Sequence, residues 1–246
     1  IQVVFCGDFF QLPPIGNSQE SSKNKFAFMS PVWANAQPTV CYLTQQYRQN
    51  NDELNNILNE IRSGRISEFR YLKLKEAIGR KLKGVDDLTK LFTHNYDVDT
   101  INQQELKKLK GKSFYYAAET KGNEKLIETL KKSVLAMESI ELKEGAKVMF
   151  VRNNPEKGIV NGSLGEVIDF DAEENVPLVR LFDDRIVSAE PEDWKIQDEG
   201  GKTLAQFHQI PLRLAWAITI HKSQGMTLDA AEIDLGKTFE KGQGYV

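Results

Sequence analysis

Between residues 145 and 196 the chain carries four short apolar runs, KVMFVRN, GEVIDFD, PLVRLFDD and RIVSAEPEDWKI, separated by turns and without a helical period. Asn161-Gly162 is a hairpin signal among them, because both residue types tolerate positive φ. The texture on either side differs. A strand over residues 88–93 leads into a helix carrying Val98, Ile101, Glu105 and Leu109, and AAEIDLG supplies a further strand near the end. Alternating strand and helix predicts a parallel α/β layer. Residues 145–204 therefore predict a small antiparallel β-barrel inserted into an α/β domain.

Other segments refine this outline. Residues 1–6 (IQVVFC) read as a fully buried strand, which needs neighbours on both sides and so predicts chain before it. Residues 39–43 form a second apolar run. Leu54, Ile57, Leu58 and Ile61 fall at i, i+3, i+4 and i+7, with Gly64 as the stop, and predict a helix. Residues 207–213 read as extended, and LAWAITIHKSQG as a buried helix ending at Gly225. Trp33, Trp194 and Trp216 are expected in the core, and Cys6 and Cys41, each in an apolar run, as buried free thiols.

With 246 residues, 40% of them hydrophobic, the chain can bury a sizeable core. Its net charge of -3 argues against coating DNA indiscriminately, yet leaves room for a local basic groove. The apolar run 214–220 is far shorter than a membrane span, and no signal peptide opens the chain, so no membrane partner and a cytoplasmic or nucleoid setting are expected.

Gly-Lys-[Ser/Thr] occurs three times, at Gly111-Lys112-Ser113, Gly201-Lys202-Thr203 and Gly236-Lys237-Thr238. A phosphate-binding loop needs another Gly five positions before its second one, so that backbone N–H groups can curl round the phosphates. Leu106, Ile196 and Ala231 stand there instead. No Asp-Glu pair follows an apolar strand to hold magnesium. These residues alone are not expected to hydrolyse ATP, and no metal ligand is assigned.

Three ordered segments carry a family resemblance. Residues 7–15 (GDFFQLPPI) resemble the third motif of superfamily 1 DNA helicases of the RecD and Pif type. Residues 42–49 (YLTQQYRQ) resemble their fourth, and residues 213–236, around HKSQG, their fifth. The terminal GQGYV resembles the start of the sixth. The resemblance implies a P-loop NTPase architecture of two RecA-like domains with ATP and Mg between them and single-stranded DNA across their tops. Residues 1–35 would be the edge of the first domain. Residues 36–144 and 205–246 would form the second, and 145–204 a Src-homology-3-like insert. It implies ATP-driven 5′ to 3′ movement on single strands and unwinding at duplex junctions. Protein partners are unknown from sequence.

Gln11 can donate and accept at once, which suits sensing nucleotide; otherwise it caps a turn. Arg48 has a fork that matches phosphate oxygens, as an arginine finger requires; otherwise it makes a surface ion pair. Gln224 and Gly225 join them as ATP-binding candidates, Gly225 because it permits a sharp turn. His221, Lys222 and Ser223 are DNA-phosphate candidates, or cations and a hydroxyl at a helix end. Asn95 is a further DNA candidate, or a helix cap. Two alternatives stay open: a non-catalytic nucleic-acid-binding or scaffold module, and the helicase part of a relaxase or exonuclease complex.

Overall fold

A computed structural model describes residues 2–14, 26–45, 52–81, 88–226, 228, 230–238 and 242–245. The chain divides into two compact units, Ile1–Asp86 with Leu235–Val246, and Asp87–Asp234.

In the first unit, α1 (Pro31–Ala36) begins at Ser30, whose side chain accepts from the Val32 N–H. Helix α2 (Asp52–Ser63) bears the expected apolar stripe and buries Ile57. Gly64 ends it at φ +68°, in the left-handed region where a Cβ is costly. Helix α3 (Glu68–Ala77) follows, with Ser67 as its cap and the Glu60 carboxylate accepting from the Ser67 N–H and hydroxyl. The described residues 2–6 do not form the strand expected over residues 1–6. Described residues 2–6 have no strand partner, and Val3, Val4 and Phe5 are 64%, 74% and 70% exposed. The run 39–43 is likewise irregular and exposed, so Cys6 and Cys41 are free but not buried. A strand-like composition without a neighbour to bond leaves its backbone groups to water. Trp33 is half-buried in a cluster with Phe5 and Phe9.

In the second unit, β1 (Thr89–Phe92) is followed by α4 (Asn95–Lys108), β2 (Phe114–Ala117), β3 (Glu119–Gly122) and α5 (Glu124–Ser133). Next come β4 (Ser139–Leu142), β5 (Lys147–Phe150), β6 (Leu164–Phe170), β7 (Pro177–Leu181), β8 (Ile186–Ser188), β9 (Glu192–Gln197), β10 (Thr203–Gln209) and β11 (Leu212–Leu214). The last elements are β12 (Ala217–Thr219), α6 (Ile220–Ser223) and β13 (Ala231–Ile233). The sheet β12-β1-β13 is parallel throughout, as the alternation predicts. The rest is antiparallel: β11-β5-β6-β7-β8, β3-β10-β9 and β2-β4. Antiparallel pairing therefore reaches beyond residues 145–204, to β2, β3, β4 and β11 and to most of β10.

One core joins the layers. Leu106 of α4 packs with Leu142, Val148, Phe150, Val167, Ile210 and Trp216, each at most 7% exposed. At residues 160–163 the Ser163 N–H donates to the Val160 carbonyl, and Gly162 alone takes positive φ, +101°. The turn therefore needs glycine only at its third position, and a longer excursion, rather than a two-residue loop, joins β5 to β6. The buried helix expected over LAWAITIHKSQG is instead a strand followed by the four-residue α6. Ala217, Ile218 and Thr219 are claimed by β1, a long-range partner that overrides local helix propensity.

Candidate functional site

The segment leaving β12 holds three of the candidate residues together. Thr219 caps α6, its hydroxyl accepting from the Lys222 N–H at 3.4 Å. The Ser223 hydroxyl donates to the Ile220 carbonyl at 2.9 Å, and Gly225, at φ +80°, turns the chain beyond. Ile220 is buried, His221, Lys222 and Ser223 are half-buried, and Gln224 and Gly225 are exposed. A helix of four residues has little dipole; the helix-end reading of these cations loses its basis.

Lys222 instead lines a cavity of about 140 Å³ together with Asp99, Asn102, Arg213, Ile218 and Met226. Burial, then the nearby Arg213 charge, lowers the Lys222 pKa, while Asp99 opposes the shift. Arg213, also lowered by burial against the pull of Asp99, donates through Nη1 to the Leu135 carbonyl at 2.9 Å. Two cations, Arg213 and Lys222, and two carboxylates, Asp99 and Glu141, thus line one cavity that runs beside β12. The lining is formally balanced, Glu141 also accepting from the Ser113 hydroxyl at 2.6 Å, and a phosphodiester would relieve the repulsion between the two cations.

Asn95 is the first residue of α4 rather than its cap, which is His94; its side chain lies outside the described residues. Arg48 also lies outside them.

Gln11 belongs to the first unit, at the end of a turn in which its N–H donates to the Asp8 carbonyl at 3.2 Å. The hub of that loop is Arg62, in the last turn of α2, which residue order alone did not single out. Its Nη1 bonds Asp8 Oδ2 at 2.5 Å and Tyr245 Oη at 3.0 Å, and its guanidinium lies 4.6 Å from the Phe10 ring centroid. Asp8 also accepts from the Phe10 N–H at 3.0 Å. Gly242, at φ +92°, packs so tightly that a Cβ would stand 2.8 Å from the Phe10 and Gln11 carbonyl oxygens. Residues 7–11, α2 and residues 242–245 are thereby tied in one cluster.

None of the three Gly-Lys-[Ser/Thr] sites opens a helix; two lie in turns or loops, and the second runs into β10 at Thr203. Among the described residues, no group of three or more His, Cys, Asp or Glu side chains is placed to hold a metal, and no helix is long and apolar enough to cross a membrane.

Residues 1–73 match the family model for PIF1-like helicase, and residues 125–170 the model for the 2B domain of DNA helicase Pif1. Over its whole length the chain is 45% identical to the ATP-dependent DNA helicase Pif1 of Psychrobacter sp. (strain PRwf-1) and 38% identical to the human ATP-dependent DNA helicase PIF1. It spans 46% and 38% of those relatives, less than half of either. A Bacteroides Pif1 helicase double mutant superposes with a TM-score of 0.82 at 30% identity, covering 97% of this chain and 57% of that one. The Bacteroides Pif1 structure bound to single-stranded DNA gives 0.59 at 32% identity, covering 100% of this chain and 58% of the other. The chain is homologous throughout to Pif1-like helicases.

Proposed function

We propose that this chain, a homologue of Pif1-like helicases along its whole length, forms part of an ATP-dependent DNA helicase of the RecD and Pif type. The motor moves 5′ to 3′ on single-stranded DNA and unwinds duplex at junctions, in the cytoplasm at the nucleoid. The resemblance to solved Pif1 structures described as bound to single-stranded DNA and to ADP-AlF4 supports this reading. In it, residues 1–35 edge a first RecA-like domain and residues 36–144 and 205–246 build the second. The parallel sheet supports that partition, since its strands come from both sides of 145–204 in sequence. Residues 145–204 act as a Src-homology-3-like insert.

The observation that carries the DNA assignment is the convergence of Lys222 and Arg213 on one cavity beside β12. His221, Lys222 and Ser223 hold the DNA backbone, with Asn95 a further contact. A motor that walks on any sequence does best to grip phosphates, which position without specifying. Gln11 and Arg48 sense and stabilise the γ-phosphate, and Gln224 and Gly225 complete the ATP contacts. ATP supplies the free energy, with Mg shielding its phosphates. None of the three Gly-Lys-[Ser/Thr] sites has the further Gly of a phosphate cradle, and no Asp-Glu pair follows an apolar strand, so the chain alone is expected not to turn over ATP.

In the whole protein, Lys222→Ala is expected to weaken binding of oligonucleotides about equally for all sequences. The salt slope should flatten by about 0.7, the share of one single-strand phosphate contact. Titration at several salt concentrations measures both. Unchanged affinity and slope in a protein that merely melts earlier would make Lys222 a structural cation.

A further inference from the structure

Strand β12 has one neighbour, β1, among the described strands. The Lys90 N–H donates to the Trp216 carbonyl at 2.9 Å, so the backbone groups of the next residue, Ala217, point to the opposite edge. At Ala217 that edge is closed by a single side chain. Asn102 of α4 donates through Nδ2 to the Ala217 carbonyl at 2.8 Å and accepts through Oδ1 from the Ala217 N–H at 3.0 Å. A buried amide thus mimics a neighbouring strand, and both it and Ala217 are buried. Without it, two backbone groups would stay buried and unbonded. Ala217 lies five residues before Lys222, and Asn102 lines the same cavity as Lys222 and Arg213.

We propose that Asn102 is a positioning residue: by clamping both backbone groups of Ala217 it fixes the exit of β12, and so the placement of Lys222 against a DNA phosphodiester. This rests on reading Lys222 as a DNA contact. Asn102 need touch neither DNA nor nucleotide. An amide is required because the clamp must donate and accept at once; a carboxylate only accepts, and an aliphatic side chain does neither.

Asn102→Asp turns that requirement into a titration. When protonated, the carboxyl reproduces both bonds, its O–H donating to the Ala217 carbonyl and its other oxygen accepting from the N–H. When ionised, it confronts that carbonyl with negative charge. Burial raises the pKa of such a carboxyl, as do Asp99 on the same helix and Glu141 of β4 on the shared cavity. Arg213 from β11 and Lys222 from α6, on the shared cavity, and Lys90, the register partner of Ala217 on β1, pull the other way.

The test measures anisotropy of a fluorescent oligothymidylate with the whole protein, wild type and Asn102→Asp, from about pH 5.5 to about pH 8 at fixed salt. The variant is expected to bind about tenfold more weakly at the alkaline end, and the ratio to wild type should return toward one on acidification. A ratio near one at every pH overturns the proposal, as does a constant deficit. If the variant does not fold at high pH by circular dichroism, Asn102→Ser replaces it. Weaker binding with a flattened salt slope then supports the clamp, and wild-type binding with earlier melting overturns it. Lys222→Ala, titrated with the same oligonucleotide at several salt concentrations, separates the two ideas. An unchanged slope there sinks the DNA reading itself, whereas a flattened slope beside a pH-indifferent Asn102→Asp sinks only the clamp.

Discussion

The loop around Gln11 and the segment from Ala217 to Ser223 both carry family motifs, yet they are held in opposite ways. The Gln11 loop follows residues whose side chains are largely exposed, and a polar hub, Arg62 with Asp8, Phe10 and Tyr245, gathers it. The second segment continues a strand whose residues Ala217, Ile218 and Thr219 are at most 3% exposed, and it rests on the core around Phe150 and Trp216. One geometry hangs on a few charged hydrogen bonds, the other on packing over many residues. Sensitivity to salt and to single substitutions should divide along that line.

The sharpest contrast comes from Phe150→Ala. Phe150 is 1% exposed within the core cluster, and truncation should cost about 4 kcal/mol, transfer and cavity together. Leu54→Ala on α2, where Leu54 is 40% exposed, should cost under about 1 kcal/mol. Denaturant unfolding measures both, and equal costs would break the comparison.

Arg62→Ala should be smaller, about 1 kcal/mol, because the side chain is 38% exposed and screened by water. Amide exchange at Phe10 and Gln11 should quicken while that at Ala217 stays as it was. Arg62→Lys keeps the charge without the fork and should rescue only in part. Equal acceleration at Ala217 would show that the two motifs share one support.

The smallest effect is expected at Asp193, on β9. Its carboxyl accepts from Gln206 Nε2 at 2.6 Å and meets His208 Nδ1 at 2.7 Å and Lys195 Nζ at 2.9 Å. Lys195 and then His208 hold its pKa at about 2, below the ordinary 3.8. A depressed carboxylate contributes stability above its unfolded pKa and loses it as pH falls through the folded value. Asp193→Asn should therefore melt slightly earlier at neutral pH, by under about 1 kcal/mol, and the gap to wild type should close between about pH 4 and pH 2. A gap that widens on acidification contradicts the assignment.

What could be seen in the sequence follows from range. The stripe Leu54, Ile57, Leu58, Ile61 with Gly64 is local, and α2 forms where it predicts. The turn-separated runs after residue 145 carry their own alternation, and they pair as antiparallel strands. LAWAITI is different, because a short apolar run fits a buried strand or a buried helix equally. Its outcome is decided by Lys90, Leu91 and Phe92 on β1 and by Asn102 on α4, more than 100 residues away. Residues 2–6 show the converse, strand-like composition with no partner among the described residues. Arg62 was hidden because a basic residue in a last helical turn already has an ordinary explanation in the helix dipole; its partners Asp8 and Tyr245 lie 54 and 183 residues away.

Residues 212–219 serve two sheets in succession. Leu212–Leu214 is the edge of the five-stranded antiparallel sheet, and Ala217–Thr219 the edge of the parallel one. The two residues between are pinned as well: the Ala215 N–H donates to Lys147, the Ala215 carbonyl accepts from the Thr89 hydroxyl, and the Trp216 carbonyl accepts from Lys90, each at 2.9 Å. Nothing in this stretch is slack. Mechanically it is a tie rod rather than a hinge, so tension on the antiparallel body is delivered along the backbone to His221 and Lys222 instead of being lost in a compliant loop.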